Sequence, residues 1–226
     1  MYRGFFKRFF DVTLSLFGII VLFPILLIIA IAIKIDSKGP IIFKQQRIGK
    51  NKKQFMILKF RTMRVDTPPN APTHELANPE KWITKVGKFL RKTSLDELPQ
   101  IFCILANKMS IIGPRPALYN QNDLIDERDK YGANDIKPGL TGWAQINGRD
   151  ELEISVKARL DGEYVKKLKE GKFKGFLMDW KCFWGTVYCV FKGDGIVEGS
   201  VSNKSDQQVC ESENNREPLN ASEKGN

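Results

Sequence analysis

Histidine is almost missing from this chain: there is one in 226 residues, His74, inside a proline-rich stretch. A Ser/His/Asp triad needs an imidazole base and a histidine metal centre needs several, so both chemistries are set aside. Cysteine is scarce too. Cys103, Cys182, Cys189 and Cys210 contain no C-x-x-C pair, which argues against zinc and disulfide frameworks and for reduced thiols. Acids are short as well: 26 Asp/Glu face 36 Lys/Arg, a formal net charge of +10. Residues 44–64 hold eight Lys/Arg and no acid, whereas the last 26 residues hold three Lys/Arg and five Asp/Glu. The positive excess therefore belongs to the folded part and suits an anionic partner: nucleic acid, anionic lipid or a phosphorylated substrate. There is no internal repeat. Any catalysis here rests on carboxylates and cations.

What the chain does have is one long apolar run. Residues 12–33, VTLSLFGIIVLFPILLIIAIAI, are 22 positions without a charge, enough to cross a bilayer core as a helix. Pro24 sits mid-run, where it removes an amide and bends or breaks a helix. Both flanks are basic, with Arg3, Lys7 and Arg8 before and Lys34, Lys38, Lys44 and Arg47 after. A spanning helix favours one basic flank; two suit a helix that breaks at Pro24 and returns to the same face. A plain spanning anchor and a cleaved signal sequence are the alternatives. A nucleic-acid partner fits the charge but not this segment.

Beyond it, residues 40–64 read as two strands around Gly49-Lys50-Asn51, with Phe55, Ile57, Lys59 and Arg61 on one face by the two-residue period. Residues 65–80 are proline-rich loop, and a helix is expected over 81–92. TSLDELPQ (93–100) follows, setting two acids side by side in a basic protein. Ser94 and Glu97 match a capping box, which would make the acids a helix start and nothing more. A second helix is expected through residue 106. GPRP holds Arg115 between two prolines, and PGLTGWAQINGR is a glycine-rich loop. Residues 152–170 have the period of an amphipathic helix, and aromatic-rich 174–191 reads as an interfacial one. Serine, asparagine and glutamate dominate from residue 200, where disorder is expected.

Taken in order, KRFFD, the proline-containing apolar run, KFRTM, RKTSLDELPQ, GPRP and PGLTGWAQINGR resemble the bacterial sugar transferase family over roughly residues 5–195. These are small monotopic polyprenyl-phosphate phosphoglycosyl transferases. The resemblance implies an α+β, mostly helical fold: a re-entrant membrane helix broken at Pro24 (1–36), a catalytic domain with a short β-hairpin and interfacial amphipathic helices on the cytosolic face of the inner membrane (37–199), and a tail (200–226). It implies transfer of a sugar 1-phosphate from a UDP-sugar to undecaprenyl phosphate with release of UMP, opening capsule, O-antigen or glycoprotein glycan assembly. Membrane lipids are expected partners, nucleic acid is not, and a homodimer is left open.

By the same resemblance Asp96 is the nucleophile that forms an aspartyl phosphosugar, and Glu97 completes the dyad. Both are expected to hold Mg²⁺, which with nearby cations offsets the repulsion between a carboxylate and a diphosphate. Lys59, Arg61, Arg91 and Arg115 are expected around the phosphates, and Asp161 and Asp179 match acids near the site. The chain departs from the family pattern at Phe23 (usually Ser), Cys103 (often Asn) and Lys108 (an acid). Two other functions stay open: a glycosyltransferase that releases UDP, and a membrane-tethered scaffold that holds anionic lipid.

Overall fold

A computed structural model describes residues 2–67, 79–148 and 152–192; His74, Arg149, Cys210 and the tail expected at 200–226 lie outside them. After a wide helical turn (Tyr2–Phe6) comes α1 (Lys7–Asp36), the one helix among the described residues long and apolar enough to cross a membrane. β1 (Ile42–Ile48) and β2 (Gln54–Phe60) form the expected antiparallel hairpin, in a register that pairs Phe43 with Lys59 and Ile48 with Gln54. Then follow α2 (Lys85–Lys92), α3 (Gln100–Leu105), β3 (Ser110–Ile112), α4 (Asn122–Asp129), β4 (Gly139–Thr141), α5 (Trp143–Ile146), α6 (Ile154–Lys169) and α7 (Lys172–Lys192). The chain is mostly helical with a small antiparallel sheet. β3 and β4 add a parallel pair that periodicity did not reveal.

Alternation decides what the hairpin buries. Phe55 and Ile57 face α3, packing with Cys103, Ile104 and Met109. Phe60 faces the other way, onto Ile29 and Ile33 of α1 and Leu90 of α2. A third cluster joins α6 and α7 to β3 through Tyr164, Val165, Leu168, Cys182 and Ile112. Cys103, Cys182 and Cys189 are free thiols, and burial pushes Cys182 up to about 12, so they serve as packing groups.

The glycines of the GPRP and PGLTGW segments serve close backbone approach. A Cβ on Gly139 would lie 2.1 Å from the Gly113 nitrogen, and one on Gly142 2.1 Å from the Gly113 oxygen. No side chain fits there, which is why two loops distant in sequence can meet.

Pro24 does not interrupt α1. The helix runs from Lys7 to Asp36 without a gap, so the expected break is corrected. A proline removes its own amide and crowds the carbonyl four residues before it, which bends a helix without having to end it, and Pro24 is exposed. At ~1.5 Å per residue α1 is about 45 Å long, yet both ends rest on one body. Near its start Lys7 pairs with Asp179 (2.7 Å), Arg8 donates to the Ile104 and Leu105 carbonyls (2.6 and 3.0 Å), and buried Asp11 accepts from Ser110 Oγ and the Ile111 amide. Near its end Ile29 and Ile33 enter the hairpin core. Between them Phe17, Ile20, Phe23 and Ile28 are at least 60% exposed, too much apolar surface for a water-facing helix. α7 adds exposed Phe173, and Phe176, Trp180 and Trp184, whose rings follow one another from Phe10 along the helix. Such aromatics suit a membrane–water boundary, and the chain is membrane-associated.

Candidate active site

The dyad hangs from a short turn that two helices and a strand hold in place. Thr84 caps α2 by accepting from the Gly87 amide (2.9 Å), and Asp36 at the end of α1 accepts from the Val86 amide (3.0 Å). Gly87 lies so close to Thr62 that a Cβ there would come 2.0 Å from the Thr62 oxygen. This approach brings Arg91 Nε to Thr62 Oγ1 (2.9 Å). Beyond α2, Ser94 takes a left-handed conformation (φ 56°) that reverses the chain into a 3₁₀ turn, Leu95–Glu97. Leu95 and Leu98 pack into the α1–hairpin cluster, and Asp96 and Glu97 meet the cations. The expected capping box is corrected: Ser94 makes no side-chain cap bond, and Glu97 reaches away from it.

Glu97 is fully engaged. Its Oε1 accepts from Lys59 Nζ (2.8 Å) and Arg115 Nη2 (2.5 Å), and its Oε2 accepts from Arg115 Nη1 (3.2 Å). Burial pushes this carboxyl up, but the charges and hydrogen bonds of Arg115 and Lys59 outweigh it and hold it well below the ordinary range. Asp96 is its opposite. Among the described residues its one ion contact is Lys59 Nζ at 3.7 Å, although its side chain is only 13% exposed. Burial raises its pKa and neighbouring Glu97 adds to the rise, against the pull of Lys59, Arg91 and Arg115. Adjacent in sequence, the two acids differ in chemistry: one is a locked anchor, the other an ionisable group with unspent lone pairs.

Of the expected site residues, Asp96, Glu97, Lys59 and Arg115 come together, with Arg91 close enough for its charge to act on Asp96. Arg61 turns elsewhere: it is buried and donates to the Ser37 carbonyl, Ser37 Oγ and the Lys38 carbonyl at 2.7–3.0 Å, tying β2 to the end of α1. Asp179 accepts from Lys7 and from the Tyr164 hydroxyl (both 2.7 Å), joining α7 to α1. Asp161 accepts from Arg128 Nε and Nη2 (2.8 and 2.6 Å) in a buried pair. Sequence reading missed Arg128, Arg47, Lys7 and Asp11 as organising groups. KRFFD carried a signal for the last two, whereas Arg128 sits among acids in LIDERDKYG and reads as solvent-facing.

Among the described residues no group of three or more His, Cys, Asp or Glu converges. Mg²⁺ typically needs only one or two carboxylates when phosphates supply the rest. Asp96 has oxygens to give, and both Glu97 oxygens are taken by Lys59 and Arg115. The arrangement fits a metal that shares Asp96 with a bound diphosphate.

A profile described as bacterial sugar transferase matches residues 2–193. The undecaprenyl-phosphate glucose phosphotransferase of Komagataeibacter xylinus is 38% identical over 170 residues, 71% of this chain and 32% of that protein. The UDP-glucose:undecaprenyl-phosphate glucose-1-phosphate transferase of Escherichia coli (strain K12) is 40% identical over 168 residues, 71% of this chain and 36% of its own. The chain thus spans about a third of the length of these relatives. Exopolysaccharide production protein PSS of Rhizobium leguminosarum bv. phaseoli is matched over 92% of its length at 38% identity, covering 80% of this chain.

Proposed function

Because the chain belongs to the bacterial sugar transferase family, we propose that it moves a sugar 1-phosphate from a UDP-sugar to undecaprenyl phosphate and releases UMP. The observation that carries this reading is the unequal dyad. A nucleophile needs free lone pairs and a basicity that paired carboxylates lack, and Asp96 has both while Glu97 has neither. In the first step an Asp96 carboxylate oxygen bonds to the β-phosphorus. The bond from that phosphorus to the bridging oxygen breaks, and the oxygen leaves with UMP. In the second step a phosphate oxygen of the lipid attacks the same phosphorus and returns Asp96 as a free carboxylate.

Lys59, Arg91 and Arg115 surround the phosphates with fixed positive charge, an arrangement that stabilises phosphoryl transfer without moving. Glu97 holds Lys59 and Arg115 in register. Mg²⁺, when bound, neutralises diphosphate charge, and Asp96 is the protein group that would hold it. The seating we propose is monotopic. Basic flanks on both sides and a helix whose two ends rest on one body support α1 lying in a single leaflet, with the dyad on the cytosolic face where UDP-sugars occur.

The test measures nucleotide release in detergent with undecaprenyl phosphate, Mg²⁺ and a panel of UDP-sugars, including UDP-glucose. UMP from one donor, lost in Asp96→Asn, is expected, together with a sugar-phosphate mass on the Asp96 peptide when lipid is withheld. UDP in place of UMP would overturn the reaction type. No nucleotide from any donor would return the lipid-binding scaffold.

A further inference from the structure

Arg115 grips Glu97, but nothing in its own side chain explains why the segment that carries it stays still. Pro114 and Pro116 offer no amide, so much of the hydrogen bonding that holds this loop falls to its carbonyls. All four in residues 114–117 are taken, each by a different donor. Pro114 O accepts from the Gly139 amide (2.8 Å) and Ala117 O from the Ile48 amide (3.0 Å). Arg115 O accepts from Arg128 Nη1 (2.9 Å) and Pro116 O from Arg47 Nη1 (3.0 Å). Two arginines outside the dyad thus clamp the carbonyl of Arg115 itself and the one that follows it.

We infer that Arg128, backed by Asp161 and joined by Arg47, is a positioning residue that fixes Arg115 against Glu97 by holding the backbone of residues 115 and 116. This rests on the reading of the dyad as the reaction centre. Arg128 is 3% exposed and Asp161 1%. A buried ion pair is poor evidence of a gain in stability, since apolar groups of similar volume often do as well. What an apolar pair cannot supply is a donor for the Arg115 carbonyl. The guanidinium fork can give Nε and Nη2 to one carboxylate oxygen while Nη1 reaches a carbonyl on another side, which a single lysine nitrogen cannot reproduce. Asp161 therefore orients Arg128, Arg128 orients the loop, and the loop orients Arg115. Asp161 acts at a distance, without meeting the substrate.

The test replaces the pair together, Arg128→Met with Asp161→Leu, so that no buried charge is stranded. Half-buried Arg47→Met is a separate variant that keeps its stem and serves should the pair variant fail to fold. The first readout uses no turnover: the Arg115 Nε–H resonance, assigned by its loss in Arg115→Lys. Its hydrogen exchange is expected to speed up at least about tenfold in either variant, as release of a fixed loop predicts. An unchanged Arg115 signal in a folded variant would overturn the inference. The second is a double-mutant cycle. Loosening the mount should lower kcat/KM about 10- to 100-fold, the scale of a small misplacement, but less than about twofold in an Arg115→Met background. An equal loss in both backgrounds would mean that the pair is merely structural. A parent that releases no UMP would defeat the proposed reaction, and the resonance alone would then decide this claim.

Discussion

Replacing Glu97 by glutamine separates two roles that a carboxylate at this position could have. In the structure it accepts three charge-assisted hydrogen bonds from Lys59 and Arg115. Glutamine keeps one acceptor and turns two donors toward two cations. Charged hydrogen bonds contribute about 1.5–3 kcal/mol each, but the full sum does not apply. Lys59 retains Asp96 at 3.7 Å, and the Arg115 side chain is 36% exposed, so water screens much of its loss. A net loss of about 2–4 kcal/mol remains, which for a domain of this size lowers the apparent Tm by roughly 5–15 °C. The assay is thermal unfolding in detergent at one scan rate, at pH 7, with Mg²⁺ or with EDTA. Because the partners are protein cations, the loss should be as large in EDTA. The pH sign follows from the depressed pKa. The contribution of Glu97 is fully present above the unfolded value near ~4.3 and fades as pH falls toward the folded one. The gap between parent and E97Q should therefore be full at pH 7 and narrow only below about pH 4. A variant as stable as the parent in EDTA, and weaker only when Mg²⁺ is supplied, would refute the reasoning and make Glu97 a metal ligand.

Asp96→Asn should abolish UMP release yet melt no lower than the parent at pH 7. Its folded pKa is raised, so its charge costs stability increasingly as pH rises from the ordinary value through the raised one, and the neutral amide removes that cost. For the same reason kcat/KM of the parent should fall on the acid side with a midpoint above ~3.9, the ordinary aspartate value; a midpoint at or below it would contradict the burial argument. Gly142→Ala should destabilise by about 3 kcal/mol or more, because its Cβ would meet backbone 2.1 Å away rather than a flexible side chain. Melting indistinguishable from the parent would show that the contact between the two glycine-rich segments is not tight.

Much of the scaffold was legible because periodicity reports burial. The hairpin falls where alternation put it, and α6 and α7 lie within two residues of their expected bounds. The misreadings share one cause: a local pattern does not encode where a side chain finds its partner. Ser94 and Glu97 have capping-box spacing, but a left-handed Ser94 cannot cap, and Glu97 is claimed by residues 38 and 18 positions away. The family resemblance set Asp161 and Asp179 near the site, but nothing in their helical surroundings shows that their partners lie 33 and 172 residues off. Arg61 shares a face with Lys59, and still its guanidinium goes to the end of α1. A period of two fixes a face; it does not fix the reach of a long side chain.

The two acids of the dyad show how one turn can assign opposite chemistry to neighbouring residues. In a 3₁₀ turn successive side chains diverge by about a third of a revolution. Lys59 stands nearer to Glu97 (2.8 Å) than to Asp96 (3.7 Å), and Arg115 closes on Glu97 in the fork geometry that guanidinium and carboxylate share. In the proposed reaction the close cation contacts thereby fall on the acid that does not react, while Asp96 feels the cations at a distance and keeps its basicity. Were Arg115 to move to Asp96, the nucleophile would be stabilised as an ion and lose reactivity. On this argument activity depends less on having basic side chains at the site than on keeping their hydrogen bonds off Asp96, whose oxygens then stay open to the β-phosphorus and the metal. The rigid mount of Arg115 is what maintains that separation.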